Sequence, residues 1–133
     1  KNDRIDCVLG QYHYVSELMN NSLLSFFPDG SLDTISKVSG KMKFESSWIR
    51  LVSNSSVVWQ EDGRLKEFTT PDTVNIVIQG KKSFWSGYID FHFEGNLQCG
   101  FSAANVKFKD LNGKEKTFPN GSQICFDDQE NVN

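Results

Sequence analysis

The stretch SFWSGYIDFHFEG, residues 83–95, alternates with a period of two. Trp85, Gly87, Ile89, Phe91 and Phe93 fall on one parity, and Phe84, Tyr88, Asp90 and His92 on the other. Residues two apart share a face of an extended chain, whereas a helix brings together residues three and four apart, so this segment predicts a strand. Shorter runs of the same kind fill most of the chain, among them IDCVLGQYHYV (5–15), LLSFF (23–27), WIRLV (48–52), SVVWQ (56–60), RLKEF (64–68) and VNIVIQG (74–80). Pro28-Asp29-Gly30, Ser53-Asn54-Ser55, Glu61-Asp62-Gly63, Pro71-Asp72 and Glu94-Gly95-Asn96 punctuate them with turn-forming residues. Asn112-Gly113 and Asn120-Gly121 predict two-residue hairpin loops, which need positive φ at both central positions. Leu32, Ile35 and Val38 are three apart within a polar-alternating run, so a bulge there must reset the parity. SELMNNSLL (16–24) is the one helix candidate, and Asn20-Asn21 interrupts it.

Strands without intervening helices exclude a parallel βαβ sheet and predict an all-β antiparallel fold. The 133 residues are expected to form a single domain, 1–133. Strands 5–15, 74–78 and 83–93 carry apolar or aromatic side chains on both faces, more than the solvated outside of a β-sandwich calls for. The expectation is therefore an antiparallel lipocalin-like β-barrel, with a β-sandwich as the alternative. Trp85, Ile89, Phe91 and Phe93 are placed in the core or lumen. Phe84 and Tyr88, with Tyr12 and Tyr14 of the first strand, form the candidate face for a partner or ligand.

The formal net charge of −3 argues against a nucleic-acid surface, which needs clustered Lys and Arg. No run of apolar residues is long enough to cross a bilayer as a helix. The chain starts at Lys1 without a signal peptide and reads as a mature or excised piece whose leader or N-terminal anchor lies outside it. Both charged ends, KNDR and DDQENVN, read as solvated tails.

Cys7, Cys99 and Cys125 match no zinc spacing. They read either as three buried thiols or as one disulfide with one cysteine left over in an oxidising compartment. Cys99 and Cys125 share the strand-rich C-terminal third and are the expected pair, while Cys7–Cys99 and Cys7–Cys125 remain open. An unpaired Cys7 is free to cross-link another chain.

No nucleophile–base, metalloprotease, phosphate-loop or dithiol motif is present, so no catalytic residue, metal or cofactor is expected and the chain does not read as an enzyme. Asp90 and His92, two apart on one strand face, have three readings. They are a surface hydrogen bond, part of a metal site needing another ligand, or a titrating pair whose charge changes in mild acid. His13, between Tyr12 and Tyr14, is the other candidate pH switch.

Residues 22–52, SLLSFFPDGSLDTISKVSGKMKFESSWIRLV, run from a short apolar strand through a Pro-Asp-Gly turn into a polar-alternating strand, a glycine and an aromatic-bearing return strand. This pattern resembles the periplasmic domains of the ToxS, VtrC and FidL class of bacterial accessory proteins, most closely the PsaF/MyfF type that serves a fimbrial regulator. The resemblance covers about a quarter of the chain. It implies a lipocalin-like barrel on the periplasmic side of the inner membrane, held there by an N-terminal transmembrane anchor. It also implies an obligate heterodimer with the periplasmic domain of a membrane-anchored winged-helix transcription activator. The pair would sense acidity, bile salts or fatty acids and so control virulence or fimbrial genes. Rival readings from the residues alone are a free lipid or bile-acid carrier, a fimbrial subunit or adhesin, and a secreted inhibitor.

Overall fold

Alternation over short runs yields eleven strands in a computed structural model, which describes residues 23–36, 40–44 and 47–133. They are β1 Leu23–Phe26, β2 Leu32–Ser36, β3 Lys41–Phe44, β4 Ser47–Arg50, β5 Val57–Trp59, β6 Leu65–Ile78, β7 Lys81–Phe91, β8 Leu97–Ser102, β9 Val106–Lys109, β10 Glu115–Phe118 and β11 Gln123–Cys125. Seven form one sheet in the order β1-β2-β5-β6-β7-β8-β11, and β3–β4 and β9–β10 are separate two-stranded hairpins. Every strand pairing is antiparallel. Among the described residues β1 and β11 end the sheet and do not pair with each other. The first strand expected at 5–15 and the tail KNDR lie outside the described residues, as does most of the 16–24 helix candidate.

One turn design recurs. In each of the segments 27–31, 60–64, 92–96, 110–114 and 127–131 the first residue's N–H donates to the fifth residue's carbonyl. The fourth residue's N–H donates back to the first residue's carbonyl. The fourth position has positive φ and is Gly30, Gly63, Gly95 or Gly113 in four cases and Glu130 in the last. This is the three-residue hairpin loop that closes on a left-handed residue. Asn112-Gly113 therefore sits in a three-residue loop, since only its glycine has positive φ. Asn120-Gly121 lies in a turn from Pro119 to Ser122 that is no hairpin, because β10 pairs with β9 and β11 with β8. The two-residue loop with positive φ at both positions is Gln79-Gly80, joining β6 to β7. DDQENVN is not a solvated tail: it contains the fifth turn, and Val132 beyond it is buried and bridges to Asp110 and Phe126.

Bulges reset the parity where the spacing demands it. Ser25 faces Thr34 but Phe26 faces Leu32, so Asp33 is extra and both Leu32 and Ile35 point into the core. Pro71-Asp72 does not end a strand as the punctuation suggests. Pro71 lacks an N–H, and it sits in a bulge between Thr70 and Val74 where none is needed, so β6 continues for 14 residues.

The β3–β4 and β9–β10 hairpins cover the apolar face of the sheet. Phe44 of β3 packs on Phe68 and Phe91, while Phe108 of β9 packs on Trp85 and Phe126. Met42, Ile49, Val57, Trp59, Val74, Ile78 and Ile89 complete the core.

The β3–β4 hairpin is fastened at the β6 bulge. Arg50 donates to Asp72 through its backbone N–H (2.8 Å), Nε (3.0 Å) and Nη2 (2.6 Å), and Thr70 Oγ1 donates to the Arg50 carbonyl. The Arg50 guanidinium and then its backbone N–H hold the Asp72 carboxyl below the usual carboxylate range. A depressed folded pKa gives stability that is present above the unfolded Asp value and lost as pH falls through the folded one. Asp72→Asn is expected to lower the urea midpoint modestly at pH 7. The gap to the native chain should close as acid protonates Asp72 and shrink in about 1 M salt.

Candidate functional site

Pairing of β6, β7 and β8 sorts the opening alternation. Trp85, Ile89 and Phe91 are buried against the hairpins, as the parity predicts. Phe84 and Tyr88 point to the opposite side and are exposed. Two residues not singled out from the sequence join them. Phe101 of β8 lies opposite Ser86 and rests over Gly87, where an added Cβ would stand 3.7 Å from its ring. Val77 of β6, beside Lys82, is 60% exposed. Nothing local marks Phe101 in LQCGFS; cross-strand register alone places it beside Phe84 and Tyr88. This uncovered face of the sheet is thus an aromatic strip.

Tyr88 stays protonated. Partial burial first, then the Glu67 and Asp90 carboxylates, push its pKa up to about 12, and it hydrogen-bonds Glu67. Cys99 and Cys125 face each other across β8 and β11 and form a disulfide. Asp90 Oδ1 accepts the Cys99 backbone N–H at 3.0 Å.

Two sequence expectations change here. Phe93 is not in the core: β7 ends at Phe91, and Phe93 rides the following turn at 66% exposure, with Arg64 stacked over its ring at 5.5 Å. Asp90 and His92 do not act as a pair. Asp90 is engaged by Cys99, and His92 belongs to the 92–96 turn, where its Nε2 lies 2.7 Å from the Phe126 carbonyl. A carbonyl only accepts, so Nε2 carries a proton. His13, Tyr12, Tyr14 and Cys7 lie outside the described residues.

His92 is part of a second construction, in which three of the repeated turns are stitched together. Gln60 Nε2 donates to the His92 carbonyl (3.3 Å), and Arg64 Nη1 donates to the Glu94 carbonyl (2.6 Å). Asn96 Nδ2 donates to the Asp128 carbonyl (2.9 Å). Each link runs from one turn to the next, so the turns 60–64, 92–96 and 127–131 form one block. Two of its acidic groups are fixed locally: Asp62 pairs with Arg64, and Asp127 accepts the N–H groups of Asn131 and Gln129. These hydrogen bonds lower both carboxyl pKa values. Among the described residues no three His, Cys, Asp or Glu side chains gather in a way that would hold a metal ion.

Comparison of the chain with protein-family models, with curated protein sequences and with solved structures finds no match.

Proposed function

We propose that this domain is a periplasmic co-component of a membrane-anchored winged-helix transcription activator. It binds and stabilises the activator's periplasmic domain through the strip formed by Phe84, Tyr88 and Phe101. In this reading the sheet curls into a lipocalin-like barrel. The domain stands on the periplasmic side of the inner membrane, and the pair senses an environmental cue such as acidity.

The exposed aromatic strip carries the reading. Three exposed aromatic side chains, with Val77, on one face of the sheet are costly to leave in water and are the type that anchors protein interfaces. The Cys99–Cys125 disulfide supports an oxidising compartment.

Co-expression with the periplasmic domain of a winged-helix membrane regulator encoded beside this chain tests the proposal. The native chain should co-purify with it. The double variant Phe84→Ser/Phe101→Ser should stay folded with a modestly lower melting temperature, since both rings are only partly exposed, yet bind at least about 100-fold more weakly, as expected for two interface anchors. Unchanged affinity in the variant, or no complex with the native chain, would defeat the assignment.

A further inference from the structure

Both hairpins that cover the seven-stranded sheet are basic. Residues 41–50 and 106–118 hold 7 of the chain's 14 Lys and Arg but only 3 of its 17 Asp and Glu, in a protein whose net charge is −3. On β3–β4 the buried pair Met42–Ile49 leaves Lys41, Lys43, Trp48 and Arg50 on the outward face. On β9 the buried Phe108 lies between the exposed Lys107 and Lys109, and Lys114 and Lys116 of the same hairpin are exposed as well. Phe44 and Phe108 pack on the same face of the sheet, so the outward faces of the two hairpins point to the same side of the molecule.

Little of this charge is neutralised internally. Among the described residues Arg50 is the one member of the set in an ion pair, with Asp72. Lys41 stands opposite Arg50 in the register, a like-charge placement that weakens a hairpin unless a counter-charge is near. The carboxylates close by do little to offset the rest. Asp110 Oδ1 accepts the N–H groups of Asn112 and Lys114 within its own turn, and Glu115 lies opposite Lys109 alone. Glu45 lies outside the described residues.

Each hairpin also shows one large apolar side chain to solvent. Trp48 is 52% exposed, and Leu111 in the β9–β10 turn is 75% exposed, the highest of any large apolar residue among those described. Lysines on outlying strands keep a hairpin soluble, but an exposed tryptophan and leucine do not serve that end. A bilayer interface accommodates both kinds of group: anionic headgroups attract the ammonium groups, and the indole and the leucine enter the headgroup layer. A soluble anion would use the charge and leave both apolar side chains wet. A small one would also meet a single hairpin, whereas a flat surface meets both.

We propose that the side of the domain formed by β3–β4 and β9–β10 rests on an anionic phospholipid surface, with Trp48 and Leu111 entering the interface. The strip of Phe84, Tyr88 and Phe101 is on the other side of the sheet, so the inference stands independently of the partner and leaves that strip accessible.

Co-sedimentation of the chain with vesicles of phosphatidylglycerol in phosphatidylcholine, against pure phosphatidylcholine vesicles, tests it. Binding should be at least about tenfold tighter to the anionic vesicles and should be lost in about 1 M salt. Soluble glycerol phosphate should not displace the chain. Trp59 and Trp85 are buried, so protection from an aqueous fluorescence quencher on vesicle binding reports Trp48. The variants Lys41→Gln/Lys43→Gln and Lys107→Gln/Lys109→Gln should stay folded and each weaken vesicle binding at least about tenfold. Leu111→Ser should weaken it as well. Equal binding to both vesicle types, Trp48 still quenched in the bound state, or an effect confined to one hairpin's variant would each overturn the proposal. Heparin binding as tight as vesicle binding, with Trp48 still quenched on the vesicles, would mean that a soluble polyanion uses the charge instead.

Discussion

Replacing Trp85 with alanine is expected to remove about 3–5 kcal/mol of folding stability, a large share of the total for a domain of this size. Trp85 is fully buried at the centre of β7, stacked on Phe108 at 6.1 Å and edge-on to Phe126 at 5.9 Å. It thereby joins three separate parts of the fold: the central sheet, the β9–β10 hairpin and the segment after β11. Its indole N–H donates to Ser83 Oγ at 2.8 Å, and that hydroxyl donates to the Ile76 carbonyl across the β6–β7 pair. Trp85→Phe keeps most of the ring volume and loses the N–H, so it should cost markedly less than Trp85→Ala. The neighbouring strand is shaped to the indole. A Cβ on Gly100 would stand 2.9 Å from Trp85 Cε3, so Gly100→Ala should cost about 1–3 kcal/mol through overpacking. The double-mutant cycle separates this from a backbone effect: in a Trp85→Ala background Gly100→Ala should be nearly neutral, the clash having gone. Urea unfolding of the four proteins makes the comparison. Additive losses would show that Gly100 serves the backbone and not the indole.

The buried set Trp85, Ile89 and Phe91 was legible because period-two alternation reports side directly, and the same parity placed Phe84 and Tyr88 outside. Alternation does not report where a strand stops. Phe93 keeps the parity but belongs to a turn whose glycine, Gly95, comes two residues later, and the turn design starts at His92. Turn chemistry was legible by location and less so by type. Asn112-Gly113 and Asn120-Gly121 carry the favoured residues, yet the loop with two positive φ angles is Gln79-Gly80. Its conformation is supported from outside the hairpin. Gln79 Nε2 donates to the Lys109 and Glu130 carbonyls, and Glu130 Oε1 accepts the Gln79 N–H. The turn at 127–131 was hidden because Glu130 occupies the position that glycine holds in the other four. Asp33, Lys66 and Gln98 look like ordinary polar strand residues. They become equivalent only once three hairpins are paired and the extra residue of each is seen at the same end of the sheet. Bulge position and cross-strand register depend on long-range pairing, and the aromatic surface of Phe84, Tyr88 and Phe101 is built from them.

Removing both halves of the disulfide, as Cys99→Ala/Cys125→Ala, is expected to cost about 3.5 kcal/mol on the chain-entropy account of a cross-link spanning 26 residues. The loss should be concentrated at one edge of the sheet. β11 has three residues and pairs only with β8, through Gln123–Phe101, Ile124–Gly100 and Cys125–Cys99. Beyond it Phe126 supplies the edge contact to Trp85 and the carbonyl that receives the His92 N–H, and Val132 bridges back to Phe126. Without the cross-link this terminal segment is held by short pairing, three buried side chains (Ile124, Phe126 and Val132) and a few side-chain hydrogen bonds, whereas β6 and β7 keep their long ladder. Amide exchange in the double variant should therefore accelerate first at Gln123–Asn131 and at His92, with Phe68–Ile78 protected until global unfolding. A uniform rise in exchange across the sheet would instead mean that the bond acts only on the unfolded chain and that β11 needs no staple in the native one.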